Sequence, residues 1–368
     1  DDKAIGGQSS VLYVDDALST LQKLAAYHRD QLTIPLIGLT GSNGKTTTKE
    51  LIQRVLNKKF RTVATTGNLN NHIGVPLTIL GITPGTEMAV IEMGANHQGE
   101  IALLCNIAKP THGLITNIGK AHLEGFGGFE GVVRAKTELY AYLKSVKGKA
   151  FVNRDDEMLM GLAARLPVMT YGMAEGADVQ GRISGSSPFL EIEWGGFQLR
   201  TQLYGDYNFY NVMAAICAGT AFGVGKEDIA DAVVHYVPSN SRSQVIESSR
   251  NTIMLDAYNA NPTSMLAAIG HFGRQAFPRK MMILGDMLEL GASSPGEHAA
   301  ILRELDKYHA SVILIGPEFT AADHEKKFIT FPDAENAAAW LETHPPQGEH
   351  ILIKGSRGMQ LEKLLKKL

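Results

Sequence analysis

The chain has 368 residues, of which 44% are hydrophobic and 20% charged, a balance that argues against a disordered or collagen-like polypeptide. Its 35 basic and 38 acidic side chains give a net charge of -3 without a polybasic run, so nucleic acid is a poor candidate partner. This length predicts two or three domains with real hydrophobic cores.

The first predicted elements are a short strand over residues 10–14 and an amphipathic helix over residues 15–27, too little for a domain. From residue 34, short apolar strands alternate with Gly-rich turns and helices. These strands are expected at residues 35–39, 88–92, 113–117 and 150–153. Such alternation is typical of a mainly parallel α/β sheet. Over residues 178–203 the apolar period becomes two around a Gly-Gly pair, which predicts a β-hairpin that we interpret as an insertion.

Helices are predicted over residues 208–222 and 226–235, before turn-forming residues at 238–241 mark a domain boundary. Four further apolar strands, alternating with helices, predict a Rossmann-like, doubly wound domain. They are expected at residues 252–255, 281–284, 311–315 and 350–353. The expected organisation has three parts: residues 1–32, a central α/β domain over residues 33–237, and a C-terminal domain over residues 238–368.

Cysteine usage and hydropathy favour a cytoplasmic location. Cys105 and Cys217 lie far apart in apolar stretches and in no metal-binding spacing, which suits a reducing compartment. The sequence has no run of about 18 apolar residues and no recognisable signal peptide, so neither membrane spanning nor export is expected.

The strongest chemical signal is the segment at residues 40–48, TGSNGKTTT, between a predicted strand and a predicted helix. Its glycines let backbone N–H groups close around phosphate oxygens, and the helix N-terminus adds positive potential. Lys45 supplies a point charge, and the Thr46 hydroxyl can ligate Mg²⁺. The segment therefore predicts a P-loop for the phosphates of ATP.

Three further side chains are candidates to complete that site. Glu92 ends a buried strand, where its carboxylate would reach the metal held by Thr46; a solvent-facing carboxylate is the alternative. His122 follows the next strand across a loop and could ligate a second Mg²⁺, position a carboxylate or be structural. Lys136 lies on the next predicted helix, where a solvated lysine is the default interpretation.

Six longer motifs follow one another along the chain. Those of the central domain are TGNLNNHIGVP at residues 66–76, IEMGANH at 91–97 and AHLEGF at 121–126. Those of the C-terminal domain are DAYNANP at residues 256–262, GDMLELG at 285–291 and KGSRGM at 354–359. With the phosphate loop, they closely resemble the Mur ligases, and within these the MurF ligases, from about residue 10 to the C-terminus.

The resemblance implies a catalytic set. Thr46 and Glu92 would hold the Mg²⁺ that bridges the β- and γ-phosphates of ATP, whereas His122 and Lys136 would serve a second Mg²⁺. The family lysine at the position of Lys136 is often N-carbamylated, which replaces an ammonium that repels Mg²⁺ by an anionic oxygen donor. Lys45, Glu92, His122 and Lys136 are therefore the expected catalytic residues.

The resemblance also implies which residues bind the nucleotide and the substrates. The expected ATP-binding residues are Gly41, Ser42, Asn43, Gly44, Lys45, Thr46, Thr47, Asn208, Asn211, Arg242 and Asp256. Asn68, Asn70 and Asn71 are expected at the peptide of the nucleotide substrate, and Asn259, Asn261, Ser264, Lys354, Ser356 and Arg357 at the dipeptide. The alternatives are a helix cap for Asn208, an interdomain salt bridge for Arg242 and Asp256, and a plain turn for residues 68–71.

The activity implied by the resemblance is ATP-dependent addition of D-alanyl-D-alanine to UDP-N-acetylmuramoyl-tripeptide, the last cytoplasmic step of peptidoglycan precursor assembly. ATP would phosphorylate the tripeptide carboxylate, and the dipeptide amine would attack the acyl phosphate after losing a proton to a base such as His122 or Asp256. We expect the C-terminal domain to close over ATP, with a hinge near residues 239–241, because Arg242 acts only if the domains approach. A monomer is expected.

Two alternatives belong to the same superfamily, namely the ligase that adds the third stem residue and folylpolyglutamate synthetase. The sequence has no Asp-Asn-Pro-Arg run of the kind that the former uses to bind diaminopimelate, and the motifs at residues 68–71 and 258–262 favour MurF. A regulator that only hydrolyses or senses ATP is the alternative from another class. The complete metal set and the polar motif of the C-terminal domain argue against it.

The family also implies an N-terminal domain that binds uridine diphosphate, of which residues 1–32 are interpreted as the last strand and helix. ATP binding is therefore expected to survive while the UDP-substrate is held poorly. Tight binding of a uridine nucleotide by this chain would contradict that expectation.

Overall fold

The computed structural model describes residues 13–239 and 241–368. The predicted strand at residues 10–14 begins outside the described residues, and residues 13 and 14 have no regular structure. The helices are α1 (Ala17–Asp30), α2 (Lys45–Leu56), α3 (Gly74–Leu80), α4 (Glu100–Ala108), α5 (Leu123–Phe126), α6 (Phe129–Ser145), α7 (Glu157–Leu162), α8 (Phe209–Ala221), α9 (Lys226–Val234), α10 (Pro262–Arg274), α11 (Ser294–Leu305), α12 (Pro317–Ala322) and α13 (Ala334–Thr343).

Two sheets accompany these helices. The strands of the first are β1 (Leu36–Thr40), β2 (Thr62–Ala64), β3 (Met88–Glu92), β4 (His112–Ile115), β5 (Lys149–Asn153), β6 (Val168–Gly172), β7 (Val179–Ser186), β8 (Phe189–Trp194) and β9 (Phe197–Tyr204). The strands of the second are β10 (Gln244–Glu247), β11 (Thr252–Asp256), β12 (Lys280–Gly285), β13 (Ser311–Ile315), β14 (Ile329–Phe331) and β15 (His350–Lys354).

The first sheet has the order β2-β3-β1-β4-β5-β6-β7-β8-β9 and is parallel from β2 to β7. Strands β1 and β3 are buried along their whole length, because helices cover both faces of the sheet. The predicted hairpin is confirmed as β8 and β9, and the positive φ angles of Gly195 and Gly196, 58° and 92°, suit its two-residue turn. The hairpin continues the edge of the sheet through β7.

The second sheet has the order β10-β11-β15-β12-β13-β14, in which only the pair β10 and β11 is antiparallel. The predicted fold class is therefore confirmed: a mainly parallel central α/β sheet followed by a doubly wound, Rossmann-like unit. The predicted domain boundary between residues 237 and 238 falls between α9 and β10, in the segment that joins the two sheets, and it stays a proposal. Across the described ranges, no helix is both long and apolar enough for a membrane crossing.

Strand register brings polar residues to one edge of each sheet. Strand β1 lies between β3 and β4, with Leu39 opposite Glu92, so the loop after β1 begins beside that carboxylate. In the second sheet, Asp256 lies opposite Lys354 at the ends of β11 and β15. Carboxyl ends of parallel strands are where α/β sheets bind ligands.

Candidate active site

The phosphate loop lies between β1 and α2 and is shaped by two glycines. Gly41 has φ 145°, and a Cβ there would lie 1.9 Å from Oγ1 of Thr116, while Gly44, the N-cap of α2, has φ 79°. No side chain caps α2, so the N–H groups of its first turn have no intrahelical acceptor. These N–H groups are suited to binding phosphate oxygens.

The segment after β4 forms hydrogen bonds with the phosphate loop. The backbone N–H of Ser42 donates to the carbonyl of Asn117, and that of Asn43 donates to the Asn117 side chain, both at 3.0 Å. Lys45 lies across the loop, with Nζ donating to the carbonyls of Gly41 at 2.7 Å and Ser42 at 3.2 Å. Burial lowers the pKa of Lys45, an effect that the Glu92 carboxylate opposes.

Glu92 is buried beside the loop, with 1% of its surface exposed. Its Oε1 accepts hydrogen bonds from Oγ1 of Thr46 at 3.3 Å and from Nδ2 of Asn70 at 2.8 Å. Its Oε2 is buried without a hydrogen-bond partner. Thr46 and Glu92 are therefore brought together as predicted, and an unpaired carboxylate oxygen is available beside them.

Lys136 is buried on α6, with 2% of its surface exposed, and so is not the solvated lysine that its sequence context favours. Burial, reinforced by the charge of Lys45, lowers its pKa from 10.5 to about 7. Its Nζ lies 5.3 Å from the centre of the Phe126 ring, and that ring is in edge contact with His122. Phe126 thus connects the two residues predicted to serve a second metal ion.

His122 is the N-cap residue directly before α5 and has a left-handed backbone, φ 51°; its side chain is 23% exposed. Its Nδ1 is in contact with Oε2 of Glu289, which comes from the loop after β12. The ring N–H is not aligned with that carboxylate, and Nδ1 makes no hydrogen bond within the described structure. Interaction with His122 lowers the pKa of Glu289 below its ordinary value.

The asparagines at the start of α8 form a buried polar chain. Nδ2 of Asn208 donates to the carbonyl of Tyr204 at 2.8 Å and to Oγ of Ser243 at 3.1 Å, so both amide hydrogens are engaged. Asn211 donates to Oδ1 of Asn208 at 2.8 Å and accepts from Thr48 at 3.0 Å. The Asn208 side chain therefore does not cap α8.

The turn at residues 68–71 packs against the metal-ligand candidates. Asn70 contacts Glu92, as described above, and Oδ1 of Asn71 accepts from the N–H groups of Ile73 and Gly74 at the start of α3. Asn68 lines the adjoining cavity. Asn70 and Asn71 thus have structural contacts in addition to the predicted contact with substrate.

A charge pair and a stacked arginine lie across the cavity. Nζ of Lys354 contacts Oδ2 of Asp256 at 2.6 Å, and Lys354 is 2% exposed. The guanidinium of Arg242 lies 3.3 Å from the centre of the Tyr258 ring, and that of Arg357 lies 5.0 Å from it. Within the described residues, neither Arg242 nor Asp256 forms a salt bridge to the first domain: Asp256 pairs with Lys354, and Arg242 stacks on Tyr258.

Besides Lys354, three further residues predicted to bind the dipeptide have internal partners. Asn261 and Ser264 form a reciprocal capping box at the start of α10. The Asn261 side chain also donates to Oδ1 of Asn43 at 2.7 Å, which links the second sheet to the phosphate loop. Oγ of Ser356 accepts from the N–H of Leu288 at 2.9 Å and contacts the carbonyl of Ala260 at 3.4 Å.

One cavity of about 690 Å³ collects most of the predicted residues. Those that line it are Ser42, Asn43, Gly44, Lys45, Thr46, Thr47, Asn68, Asn70, Asn71, Glu92, His122, Asn208, Asn211, Arg242, Asp256, Asn259, Ser264 and Lys354. Those that do not are Gly41, Lys136, Asn261, Ser356 and Arg357. Both sheets therefore contribute to a single site.

Sequence reasoning missed three residues that shape this site. Asn117 supports the phosphate loop, Tyr258 stacks on Arg242, and Glu289 contacts His122. Tyr258 and Glu289 lie within motifs quoted for the resemblance, so their position in a motif was the available signal. Asn117 is the last residue of a predicted strand, but nothing in the sequence distinguishes it as a support of the loop.

Comparisons with known proteins agree with this geometry. Residues 39–219 match the Mur ligase middle domain, and residues 241–357 match the Mur ligase glutamate ligase domain. The chain is 37% identical to the UDP-N-acetylmuramoyl-tripeptide--D-alanyl-D-alanine ligase of Bacillus subtilis, over 98% of this chain and 81% of that protein.

Solved structures give the same result. MurF from Acinetobacter baumannii superposes with a TM-score of 0.87 and 35% identity, covering 97% of this chain and 81% of that one. The MurF ligase from Thermotoga maritima in complex with ADP superposes with a TM-score of 0.86 and 29% identity, covering 98% of this chain and 85% of that one.

Proposed function

The chain belongs to the Mur ligase family and, within it, to the MurF ligases, and from this premise we propose that it joins D-alanyl-D-alanine to UDP-N-acetylmuramoyl-tripeptide as ATP is converted to ADP and phosphate. The observation that carries the proposal is a single cavity. It has the phosphate loop and Glu92 on one wall and the Asp256–Lys354 pair on the other.

ATP is the expected nucleotide, and the solved relative with ADP supports it. Its phosphates would bind at the first turn of α2, with Lys45 as the nearby point charge. Asn211 and Arg242 also line the cavity and are proposed to contact the nucleotide. Asn208 would act mainly by fixing Asn211, because both hydrogens of its amide are engaged elsewhere.

The residues beside the loop fit a hard divalent cation. Oε2 of Glu92 is a buried, unpaired carboxylate oxygen, and the Thr46 hydroxyl lies next to Oε1 of the same side chain. Mg²⁺ is commonly bound through one or two carboxylates together with substrate phosphates. No three His, Cys, Asp or Glu side chains of the described chain form a metal cage of their own. We propose Thr46 and Glu92 as ligands; bound Mg²⁺ would neutralise phosphate charge and polarise the phosphoryl group.

Lys136 is suited to carbamylation. A pKa of about 7 instead of 10.5 makes the neutral amine about a thousandfold more abundant near neutral pH. The neutral amine is the form that adds CO₂ and then loses a proton. The resulting carbamate would remove a buried positive charge next to Lys45 and, with His122, serve a second Mg²⁺.

The reaction requires activation because a carboxylate resists attack by an amine. In the first step, a carboxylate oxygen of the tripeptide would bond to the γ-phosphorus as the bond to the β,γ-bridging oxygen breaks, giving an acyl phosphate and ADP. In the second step, the dipeptide amine would attack the acyl carbon, lose a proton, and displace phosphate. Lys45 and the N-terminus of α2 offset the repulsion between the anions in the first step.

The second wall would hold the amine substrate. Lys354 and Asn259 line this wall of the cavity, where they can bind the free carboxylate of the dipeptide. Closure of the domains would then bring the amine of the dipeptide to the acyl phosphate. The carboxylate of Asp256 is paired with Lys354 on this wall.

Phosphate release distinguishes a ligase from an ATP-sensing protein. We expect phosphate release by the purified chain to require both UDP-N-acetylmuramoyl-tripeptide, supplied at high concentration, and D-alanyl-D-alanine. A Lys45→Ala variant, purified in parallel, measures contaminating ATPase. Hydrolysis that is abolished in that variant yet indifferent to both substrates would overturn the proposal and favour a regulator.

A further inference from the structure

The motif at residues 285–291 is not explained by the reaction described above. Its Asp286 is 1% exposed, and its carboxylate accepts the N–H groups of Glu318 and Phe319, each at 2.9 Å. These are N–H groups in the first turn of α12, so Asp286 stabilises the start of that helix. The aspartate of the motif is therefore structural and does not contact the cavity.

The residues after Asp286 are fixed by two more hydrogen bonds. The N–H of Met287 donates to Nε2 of His298 at 3.1 Å, and the N–H of Leu288 donates to Oγ of Ser356 at 2.9 Å. His298 is fully buried, and Ser356 is 3% exposed, so both acceptors are held by the core of the second sheet. The loop therefore presents the next residue, Glu289, from a rigid base.

Glu289 has a left-handed backbone, with φ 64°, which a glutamate adopts only when its surroundings impose it. Its carbonyl accepts from the N–H of Glu124 at 3.5 Å, and its carboxylate contacts Nδ1 of His122. A Cβ on Gly291 would lie 3.1 Å from Cβ of Glu124, so the two loops are closely apposed. The strained residue is thus directed at one metal-ligand candidate of the other sheet.

We propose that Glu289 is a positioning residue for His122: a small rotation of the imidazole aligns its Nδ1–H with the Glu289 carboxylate, which accepts that hydrogen bond and leaves the Nε2 lone pair for the reaction cavity. The proposal rests on the proposed function, in which His122 serves a divalent cation. Carboxylates that bind the distal nitrogen of a metal-ligating histidine fix its tautomer and ring orientation. Nδ1 of His122 is buried and makes no hydrogen bond within residues 13–239 and 241–368, and the carboxylate in contact with it is that of Glu289.

This arrangement links the metal site to the approach of the two domains. Glu289 follows β12 of the second sheet, whereas His122 follows β4 of the first. The imidazole is therefore held in its working tautomer only while the domains are in contact. The C-terminal domain would complete the metal site as well as deliver the amine substrate.

A second contact between the domains provides a matched control. Oε1 of Glu297, on α11, contacts Nζ of Lys120 at 2.6 Å, only two residues before His122. Glu297→Gln weakens that contact without touching the imidazole. If Glu289 acts merely by holding the domains together, the two variants will behave alike.

The experiment measures the tautomer of His122 and the affinity for Mn²⁺ in wild type, Glu289→Asn, Glu289→Gln and Glu297→Gln. Asparagine tolerates the left-handed backbone and so removes the carboxylate without forcing the loop to refold. Ring ¹⁵N shifts of ¹⁵N-histidine-labelled protein, with His122 assigned by its loss in His122→Gln, report the tautomer. Electron paramagnetic resonance counts free Mn²⁺ in the presence of a non-hydrolysable ATP analogue, and neither readout requires turnover.

We expect wild-type His122 to carry its proton on Nδ1, and Glu289→Asn to lose that preference and bind Mn²⁺ about 10- to 100-fold more weakly. Glu289→Gln should show a smaller loss, because its amide oxygen still accepts a hydrogen bond from Nδ1–H, and Glu297→Gln should match wild type. An unchanged tautomer and unchanged Mn²⁺ affinity in Glu289→Asn would overturn this inference alone. So would equal losses in Glu297→Gln. If wild type instead fails to join D-alanyl-D-alanine to UDP-N-acetylmuramoyl-tripeptide, the proposed function is defeated.

Discussion

Replacing Lys136 by methionine is expected to stabilise the protein while removing its activity. The amine is 2% exposed, and burial together with the charge of Lys45 lowers its pKa from 10.5 to about 7. That difference corresponds to about 5 kcal/mol, an upper limit for the cost of keeping the charged amine in the folded state. Methionine has a similar shape and no charge, so we expect Lys136→Met to raise the free energy of unfolding by about 2–4 kcal/mol near neutral pH.

The buried Lys136 determines how the free energy of unfolding of wild type changes with pH. Between the folded pKa of about 7 and the ordinary 10.5, the unfolded chain keeps the Lys136 proton and the folded chain loses it. The unfolded state then binds more protons, so wild-type stability rises with pH by up to about 1.4 kcal/mol per pH unit. The difference in free energy of unfolding between Lys136→Met and wild type should therefore decrease by about 2 kcal/mol from about pH 7 to about pH 9.

Urea unfolding in CO₂-depleted buffer measures this advantage. The chain has two tryptophans, and Trp194 lies in the first sheet, so fluorescence in a Trp340→Phe background reports unfolding of the central domain. Lys144→Met, which replaces an exposed lysine of the same helix, is the matched control and should change little. Bicarbonate should stabilise wild type alone. A Lys136→Met protein that is less stable than wild type, or whose advantage does not vary with pH, would refute the reasoning.

Three further substitutions test the nucleotide side of the cavity. Gly44 has φ 79°, and a Cβ there would lie 2.4 Å from Oδ1 of Asn211, so Gly44→Ala should distort the phosphate loop. We expect the variant to bind ATP more than tenfold more weakly in calorimetry; an unchanged affinity would contradict the loop geometry. Glu92→Gln should lower kcat about 100-fold while metal-free nucleotide binding persists, and a near-normal kcat would exclude Glu92 as a ligand. Arg242→Lys should raise KM for ATP about tenfold because lysine cannot stack on Tyr258 as a planar group; an unchanged KM would exclude that role.

The fold was predictable where strands are buried on both faces. Strands β1 and β3 are buried along their whole length, and β13 is buried from residue 313; each is a mainly apolar run bounded by turns, and the sequence locates each of them within about a residue. Short strands at or near a sheet edge, such as β2 and β14, were not predicted. Each of these strands has only three residues, some of them partly exposed, and so short a segment shows too little hydrophobic periodicity to be recognised.

The candidate site was predictable where a local motif dictates geometry. The phosphate loop needs glycines at fixed positions, and the register of β1 with β3 then brings Glu92 beside Thr46. Burial of Lys136 could not be read in this way, because it depends on how α6 packs against elements distant in sequence. The contact between Glu289 and His122 joins two loops of different sheets, and no spacing rule reports it.

Transfer of ¹⁸O tests the central claim most directly. The chain should be given UDP-N-acetylmuramoyl-tripeptide labelled with ¹⁸O in the carboxylate that receives the dipeptide, together with ATP and D-alanyl-D-alanine. An acyl phosphate requires that one ¹⁸O leaves with each phosphate, because the acyl carbon loses the oxygen that was phosphorylated. Phosphate without ¹⁸O, released as amide forms, would contradict the account.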